Sequence, residues 1–404
     1  MISTNEADRH ILSTRIKLKT EQIPFQKSAG RILAEPIQTD RDLPPFHRVT
    51  MDGVAVSFEG FKPDKPFFLE KTIRAGEPQT TLTNPNHGIE IMTGAMLPIG
   101  ADTVIRYEDI MIDGRIAYCK KEAVVQKGQN IHLQGSDLKK GDTIAAVHKY
   151  IHPAMLGAFA SVGKTHVTVF TQPKVLIIST GDEIISVEKQ PLPHQIRSSN
   201  SYAIEAALLP WTQQIEHLHL PDDDVLIDKI LKKKLPLFDC IILSGGVSAG
   251  KFDHIPIALG RLGVQTLFHK VTQKPGKPFW FGRKTDASNR ILQVVFALPG
   301  NPASTFLCVH RYVIPWFKQN YQLENKAEWA ILKEDIASPI PLTHFVQVSL
   351  AYNEATHQLE ASPVFGNGSG DLVSLVHIDG FIELPANENT FAKGTAIRLW
   401  RTRI

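Results

Sequence analysis

A short apolar run, Phe238-Asp239-Cys240-Ile241-Ile242-Leu243, opens into Ser244-Gly245-Gly246-Val247-Ser248-Ala249-Gly250-Lys251-Phe252-Asp253. The run reads as a buried strand. Glycine and hydroxyl residues at a strand end leave backbone N–H groups facing outward, and no side chain keeps a phosphate away from them. Asp253 then offers a carboxylate that can hold a divalent cation beside such a phosphate. Alone, the loop is equally an ordinary tight strand-to-helix turn.

Two further strand ends have the same character. Lys174–Ser179 is apolar and ends in Thr180-Gly181-Asp182-Glu183. Leu292–Ala297 ends in Leu298-Pro299-Gly300-Asn301-Pro302. Asn301 suits an N-cap and Pro302 the first helical position, with a helix expected from about 303 to about 317. Between the runs, Arg197-Ser198-Ser199-Asn200-Ser201 caps an expected helix over 202–209, stopped by Pro210. Strands alternating with helices imply a largely parallel sheet covered on both faces. Ligands of such sheets bind beyond the carboxyl ends of the strands, where all three loops fall. Lys270, Lys274 and Lys277 follow on a segment stiffened by Pro275 and Pro278. Fixed lysines are good point charges for a polyanion. Asp182, Glu183, Asp222, Asp223 and Asp253 lie within the same stretch and suit Mg²⁺ beside phosphate.

These residues resemble the molybdopterin molybdenumtransferases of the MoeA type, which include the C-terminal domain of gephyrin. The likeness runs through almost the whole chain. It rests on Arg41–Phe46, Met51-Asp52-Gly53, Ile91–Ala95, Gly135-Ser136-Asp137, Ser179–Glu183, Ser199–Tyr202, Ser244–Gly250, Lys274–Pro278 and Leu298–Pro302. The resemblance implies the last step of molybdenum cofactor assembly. Adenylylated molybdopterin and molybdate are the substrates, Mg²⁺ is the metal, the pyrophosphate link is cleaved and AMP leaves. It further implies catalytic roles for Asp182, Glu183, Asp222, Asp253 and Asp52, with Glu183 and Asp253 as metal ligands. Binding roles are expected for Thr93, Asp137, Ser199, Asn200, Ser244, Gly245, Gly246, Ser248, Lys270, Lys274, Lys277, Pro299, Gly300 and Asn301. In this family Asp52, Thr93 and Asp137 face the site from the partner subunit, so a homodimer is expected. A molybdopterin adenylyltransferase, apo-molybdoenzymes and their chaperones are further implied partners. A docking scaffold of the same fold and an adenylyltransferase are the competing readings. The inserted β domain, the β tail and the retained acids and lysines favour the transferase.

The chain departs from the family pattern in places. His47-Arg48-Val49-Thr50 stands where Asn-Ser-Ala precedes Met-Asp-Gly. Ser136 replaces a frequent acid, and Pro221 an arginine. Thr343-His344-Phe345-Val346-Gln347 occupies an arginine-rich stretch.

The 404 residues suffice for two to four domains, and the net charge of +3 leaves no nucleic-acid footprint. Three scattered cysteines argue against a disulfide or zinc framework. With no apolar run of about 18 residues and no apolar leader, neither membrane span nor signal peptide is expected, and the cytoplasm is the simplest address. The expected fold is a multidomain α/β chain in four parts. They are a discontinuous helical and extended N-terminal domain (1–43 with 139–171), an inserted β domain (44–138), a doubly wound mostly parallel molybdopterin-binding sheet (172–322) and a small β-barrel (323–404). Met1–Arg31 reads as helical, and 153–162 as a helix packing against it. Gly157–Thr165 has the wrong spacing for a P-loop. His217 and His219 alternate with Ile215 and Leu220, which favours a strand over a metal pair. Arg106 and Glu108 are read as a surface ion pair.

Overall fold

A computed structural model describes residues 1–221, 223–246 and 254–403. The first helix, Thr4–Ser13, begins in a capping box. The Ser3 hydroxyl accepts from the Glu6 amide, and the Glu6 carboxylate accepts from the Ser3 amide. The helix ends at Ser13, not near Arg31. The Thr14 hydroxyl donates to the His10 carbonyl, and Ile16 and Leu18 then alternate inward before the strand Thr20–Pro24. This helix does not pack on the helix Pro153–Ser161. Its buried face, Ala7 and Ile11, joins the core shared with Trp316 and Phe317.

Thr20–Pro24 pairs antiparallel with His166–Phe170, so segments on either side of the inserted region build one unit. The chain leaves and re-enters that unit at a bridge between Leu43 and Leu138. Between those points a sheet of six strands runs in the order Thr103–Arg106, Gly53–Val56, Gly88–Ile91, Phe67–Ile73, Ile116–Cys119 and Ile110–Asp113. The Arg106 guanidinium meets Asp109 at 2.6 Å, not Glu108, because the 3₁₀ turn Tyr107–Asp109 brings residue i+3 alongside.

The α/β unit is a sheet of β1 (Val175–Thr180), β2 (Ile215–Leu220), β3 (Cys240–Ser244), β4 (Gln265–His269), β5 (Trp280–Thr285) and β6 (Ile291–Leu298) in the order β2-β1-β3-β6-β5-β4. The first four in that order are parallel, and β5 pairs antiparallel with both β6 and β4. Its central strands are apolar throughout because both faces are covered. Val175, Ile177, Cys240, Ile242, Val294 and Phe296 face one core, and Leu176, Ile178, Ile241, Leu243, Val295 and Ala297 face the other. Burial raises the pKa of the Cys240 and Cys308 thiols, the latter to about 12, so both stay protonated core fillers. His217 and His219 lie in β2. They contact Glu205 and Ser179, and among the described residues no acid–His–Cys group suits a metal.

The tail closes into a barrel of β7 (Glu328–Leu332), β8 (Thr343–Asn353), β9 (Gln358–Pro363), β10 (Gly380–Leu384) and β11 (Ala396–Arg401), ordered β8-β9-β7-β11-β10 with β10 returning to β8. The helix after β6 is not uniform. Pro302–Cys308 and Ile314–Asn320 are α-helical, and Val309–Val313 is a wide π turn. Pro315 cannot donate an amide hydrogen, and its ring crowds the carbonyl four residues back, which the wide turn relieves.

That turn carries Arg311, whose side chain is 1% exposed. Its guanidinium donates to both oxygens of Asp8, at 2.6 and 2.8 Å, and lies 3.5 Å from Glu383 and 4.2 Å over Trp400. One cation thereby joins the N-terminal helix, the α/β unit and the barrel. Replacing it with methionine is expected to cost about 3–5 kcal/mol in urea denaturation, since the partly buried Asp8 carboxylate loses its bidentate partner and Glu383 loses one of its contacts. A cycle with Asp8→Asn is expected to be strongly non-additive. Next to it, His310 has a solvent-shielded Nε2 with no partner among the described residues, and burial lowers its pKa from 6.5 to about 4. The unfolded chain therefore takes this proton first. Stability is expected to fall as the pH drops from 6.5 to about 4, by on the order of 3 kcal/mol in total. His310→Phe flattens that part of the denaturation profile.

Candidate functional site

Parallel register sets Ser179 beside Ser244 and Ser244 beside Leu298, so the loops after β1, β3 and β6 leave one edge of the sheet together. Gly245 and Gly246 have φ of +98° and +68°, and a Cβ on Gly245 would lie 2.8 Å from the Thr180 hydroxyl. Neither position tolerates a side chain, so backbone lines this edge. The Gly245 amide donates to the Leu298 carbonyl at 3.1 Å. Asn200, in the first turn of the helix Asn200–Leu208, fastens the same loops. Its Nδ2 donates to the Ser244 hydroxyl at 2.8 Å and to the Gly300 carbonyl at 2.7 Å. Ser199 is the N-cap by backbone position but makes no side-chain cap bond. Asn301 also caps by backbone only. Its Nδ2 donates to the Ser369 hydroxyl at 2.8 Å, which ties the start of the helix Pro302–Cys308 to the barrel's Gly368-Ser369-Gly370 turn.

A cleft of about 450 Å³ opens between this edge and the barrel. Lys274, Lys277, Pro299 and Asn301 line one wall, and His344, Gln347, Phe365 and Ser369 the other. Lys270 is not part of the lining. Its backbone is spent on neighbours, with the amide donating to Phe279 and the carbonyl accepting from Ile2. The turn bearing the two cleft lysines is braced from beneath by Gln273, which sequence reasoning missed. Its Nε2 donates to the Pro275 and Gly276 carbonyls at 3.1 and 3.4 Å, and its Oε1 accepts from the Tyr312 hydroxyl. A glutamine next to a basic loop reads as solvated, and only the fold reveals it as fully buried.

Asp182 and Glu183 are exposed at the end of β1, with the Glu183 carboxylate folded over Gly181 (φ +121°). Asp222, Ser248 and Asp253 lie outside the described residues. Asp52, Thr93 and Asp137 belong to the inserted region and its edge and do not line the cleft. The Thr93 amide donates to Asp52 at 2.6 Å and lowers the pKa of that carboxyl. Asp137 faces His132 Nε2 at 2.8 Å, and Arg48 faces the other ring nitrogen at 3.2 Å.

Loops gathered at the carboxyl ends of parallel strands, beside a lysine-lined cleft closed by a second domain, define a protein that handles a phosphorylated or oxyanionic ligand. Comparison with known proteins makes this specific. Three family profiles match in chain order: the MoeA N-terminal region (domain I and II) over residues 2–163, the probable molybdopterin binding domain over 176–319 and the MoeA C-terminal region (domain IV) over 330–401. The molybdopterin molybdenumtransferase of Synechocystis is 36% identical over 370 residues, 91% of each chain. That of Bacillus subtilis is 30% identical over 418 residues, covering 98% of this chain and 93% of its own. The crystal structure of the molybdopterin biosynthesis MoeA protein of Pyrococcus horikoshii OT3 superposes with a TM-score of 0.82 at 26% identity, covering 99% of both chains. The chain belongs to the molybdopterin molybdenumtransferase family and is a transferase of molybdenum cofactor biosynthesis.

Gly276 tests the brace under the lysines. It has φ +90°, and a Cβ there would lie 2.6 Å from Gln273 Nε2 and 3.0 Å from Cys308 Sγ. Gly276→Ala is expected to lower stability by about 1–3 kcal/mol through backbone strain and collision. Chemical denaturation measures it, and an unchanged midpoint would refute the bracing.

Proposed function

We propose that this chain transfers molybdate to adenylylated molybdopterin in a Mg²⁺-dependent reaction that cleaves the pyrophosphate link and releases AMP. The supporting observation is that the three strand-end loops leave one edge of the sheet together, and the third of them lines the cleft through Pro299 and Asn301 beside Lys274 and Lys277. Backbone N–H groups at Gly246 and Gly300 would cradle phosphate oxygens, with Asn200 holding those loops at a fixed spacing. Lys274 and Lys277 would offset the charge of molybdate and of the pyrophosphate. Such phosphoryl chemistry is mainly positioning and charge stabilisation. Mg²⁺ is a hard cation that takes carboxylate oxygens and keeps several waters. Glu183, exposed at the strand end, suits that ion, with Asp253 and Asp222 as the further acids expected there. Bound Mg²⁺ would neutralise charge between the phosphates.

Asp52, Thr93 and Asp137 are exposed on the inserted region, held by their own neighbours and apart from this chain's cleft. That supports a homodimer in which a second copy brings them to the site. An adenylyltransferase supplying the substrate and apo-molybdoenzymes receiving the product are the partners this chemistry needs. The cytoplasm is the proposed address, and among the described residues no helix is long and apolar enough to cross a membrane.

Incubation with adenylylated molybdopterin, Mg²⁺ and molybdate, following AMP, tests the reading. Glu183→Ala and Lys274→Ala are each expected to slow AMP release by about a hundred-fold or more, the scale of losing an electrostatic stabiliser. Thermal melts should stay near that of the parent. Undiminished AMP release in both variants would overturn the assignment.

A further inference from the structure

The cleft is asymmetric in charge. Among the described residues, its ionisable lining is Lys274, Lys277 and His344. Gln273–Lys274 runs parallel to β8, and Lys274 is paired there with His344. The Ser338 hydroxyl lies 2.9 Å from His344 Nδ1, which occupies one ring nitrogen and leaves Nε2 outside that bond. An imidazolium donates from both nitrogens, so Ser338 can accept from one while the other serves a ligand. His344 is the ionisable group that Thr343–Gln347 brings to the cleft.

Burial first, and Lys274 second, lower the pKa of His344 below its ordinary value of 6.5. The ring is therefore neutral in the empty cleft at neutral pH. Among the described residues no carboxylate lines the cleft beside the lysines. β10 sets Leu384 opposite His344, and the adjacent Glu383 is taken by Trp400 Nε1 at 2.8 Å and by Arg311. Asp371 turns onto its own loop, accepting from the Asn367 and Ser374 amides. A dianion resting between the lysines would supply the missing negative charge and favour the protonated ring.

We propose that His344 completes an oxyanion clasp with Lys274 and Lys277, binding the anion as an imidazolium and taking up a proton as the anion enters. The inference deepens the proposed function, since it rests on this cleft being the molybdate seat. The proton comes from solvent and forms an N–H bond on the ring, and no other covalent bond changes.

The test is calorimetric titration of the full-length protein with molybdate alone, in buffers of different ionisation enthalpy. For a single histidine that titrates on binding, affinity is expected to rise roughly ten-fold from about pH 8 to about pH 6, with up to one proton taken up. His344→Asn, which keeps a polar partner for Ser338, is expected to abolish the proton uptake and flatten the pH dependence. His344→Arg, permanently charged, is expected to bind at both pH values without uptake. Retained proton uptake in His344→Asn would overturn the inference while leaving the molybdate seat intact. Failure of the parent to bind molybdate at either pH would remove the seat and the inference together. AMP release, measured separately, reports whether the transferase reading survives.

Discussion

A guanidinium with almost no solvent contact holds this protein's parts in register. Arg311 is drawn into the interior by a wide helical turn and spends its donors on Asp8, with Glu383 facing its Nε and Trp400 stacked against its plane. Burying a charge is costly unless its geometry is nearly ideal. The bidentate fork on a carboxylate and the stacked indole supply that geometry. Because Asp8 comes from the N-terminal helix, Glu383 and Trp400 from the barrel and Arg311 itself from the α/β unit, the arrangement does more than stabilise. It fixes the angle between sheet and barrel, and hence the width of the cleft between them.

The site is built by the same economy of polar side chains. Asn200 holds two loops through one amide, Thr180 packs on the glycines of the central loop, and Gln273 supports the lysine turn from within the core. None of the three needs to touch a substrate to matter. Each converts flexible, glycine-rich backbone into a surface of fixed spacing, which electrostatic stabilisation requires. Asn301 and Ser369 extend the same logic across the domain boundary, linking the start of a helix to a barrel turn.

Much of this was legible from residue patterns. The apolar runs ending at Ser179, Leu243 and Ala297 appear as parallel neighbours, since strands buried on both faces leave an unbroken apolar signature. The short runs at Val54–Val56, Phe67–Leu69 and Thr103–Ile105 are strands of one sheet, and the tail is a barrel. Lys274, Lys277, Pro299 and Asn301 meet at one cleft, whereas Lys270 turns its backbone elsewhere. What could not be read was any pairing distant in sequence. The partner of the first helix was misplaced, because an amphipathic face states that it is buried and not against what. Gln273 and Arg311 carry no signal in the residue pattern, since a buried polar group is recognisable only once its partners are in space. The continuous helix expected after Pro302 overlooked Pro315, whose ring forces the wide turn.

The opening segment depends on residues that follow it by some three hundred positions. The Trp316 indole donates to the Thr14 carbonyl at 2.7 Å, and the Ile16 amide donates to Asn320 at 2.9 Å, across separations of 302 and 304 residues. A ribosome therefore releases the first helix long before anything exists to bury it. Its apolar stripe must wait, exposed or in the keeping of a chaperone, while most of the polypeptide is made. Closure of this seam is a late event in maturation, since it waits for residues made some three hundred positions after the helix.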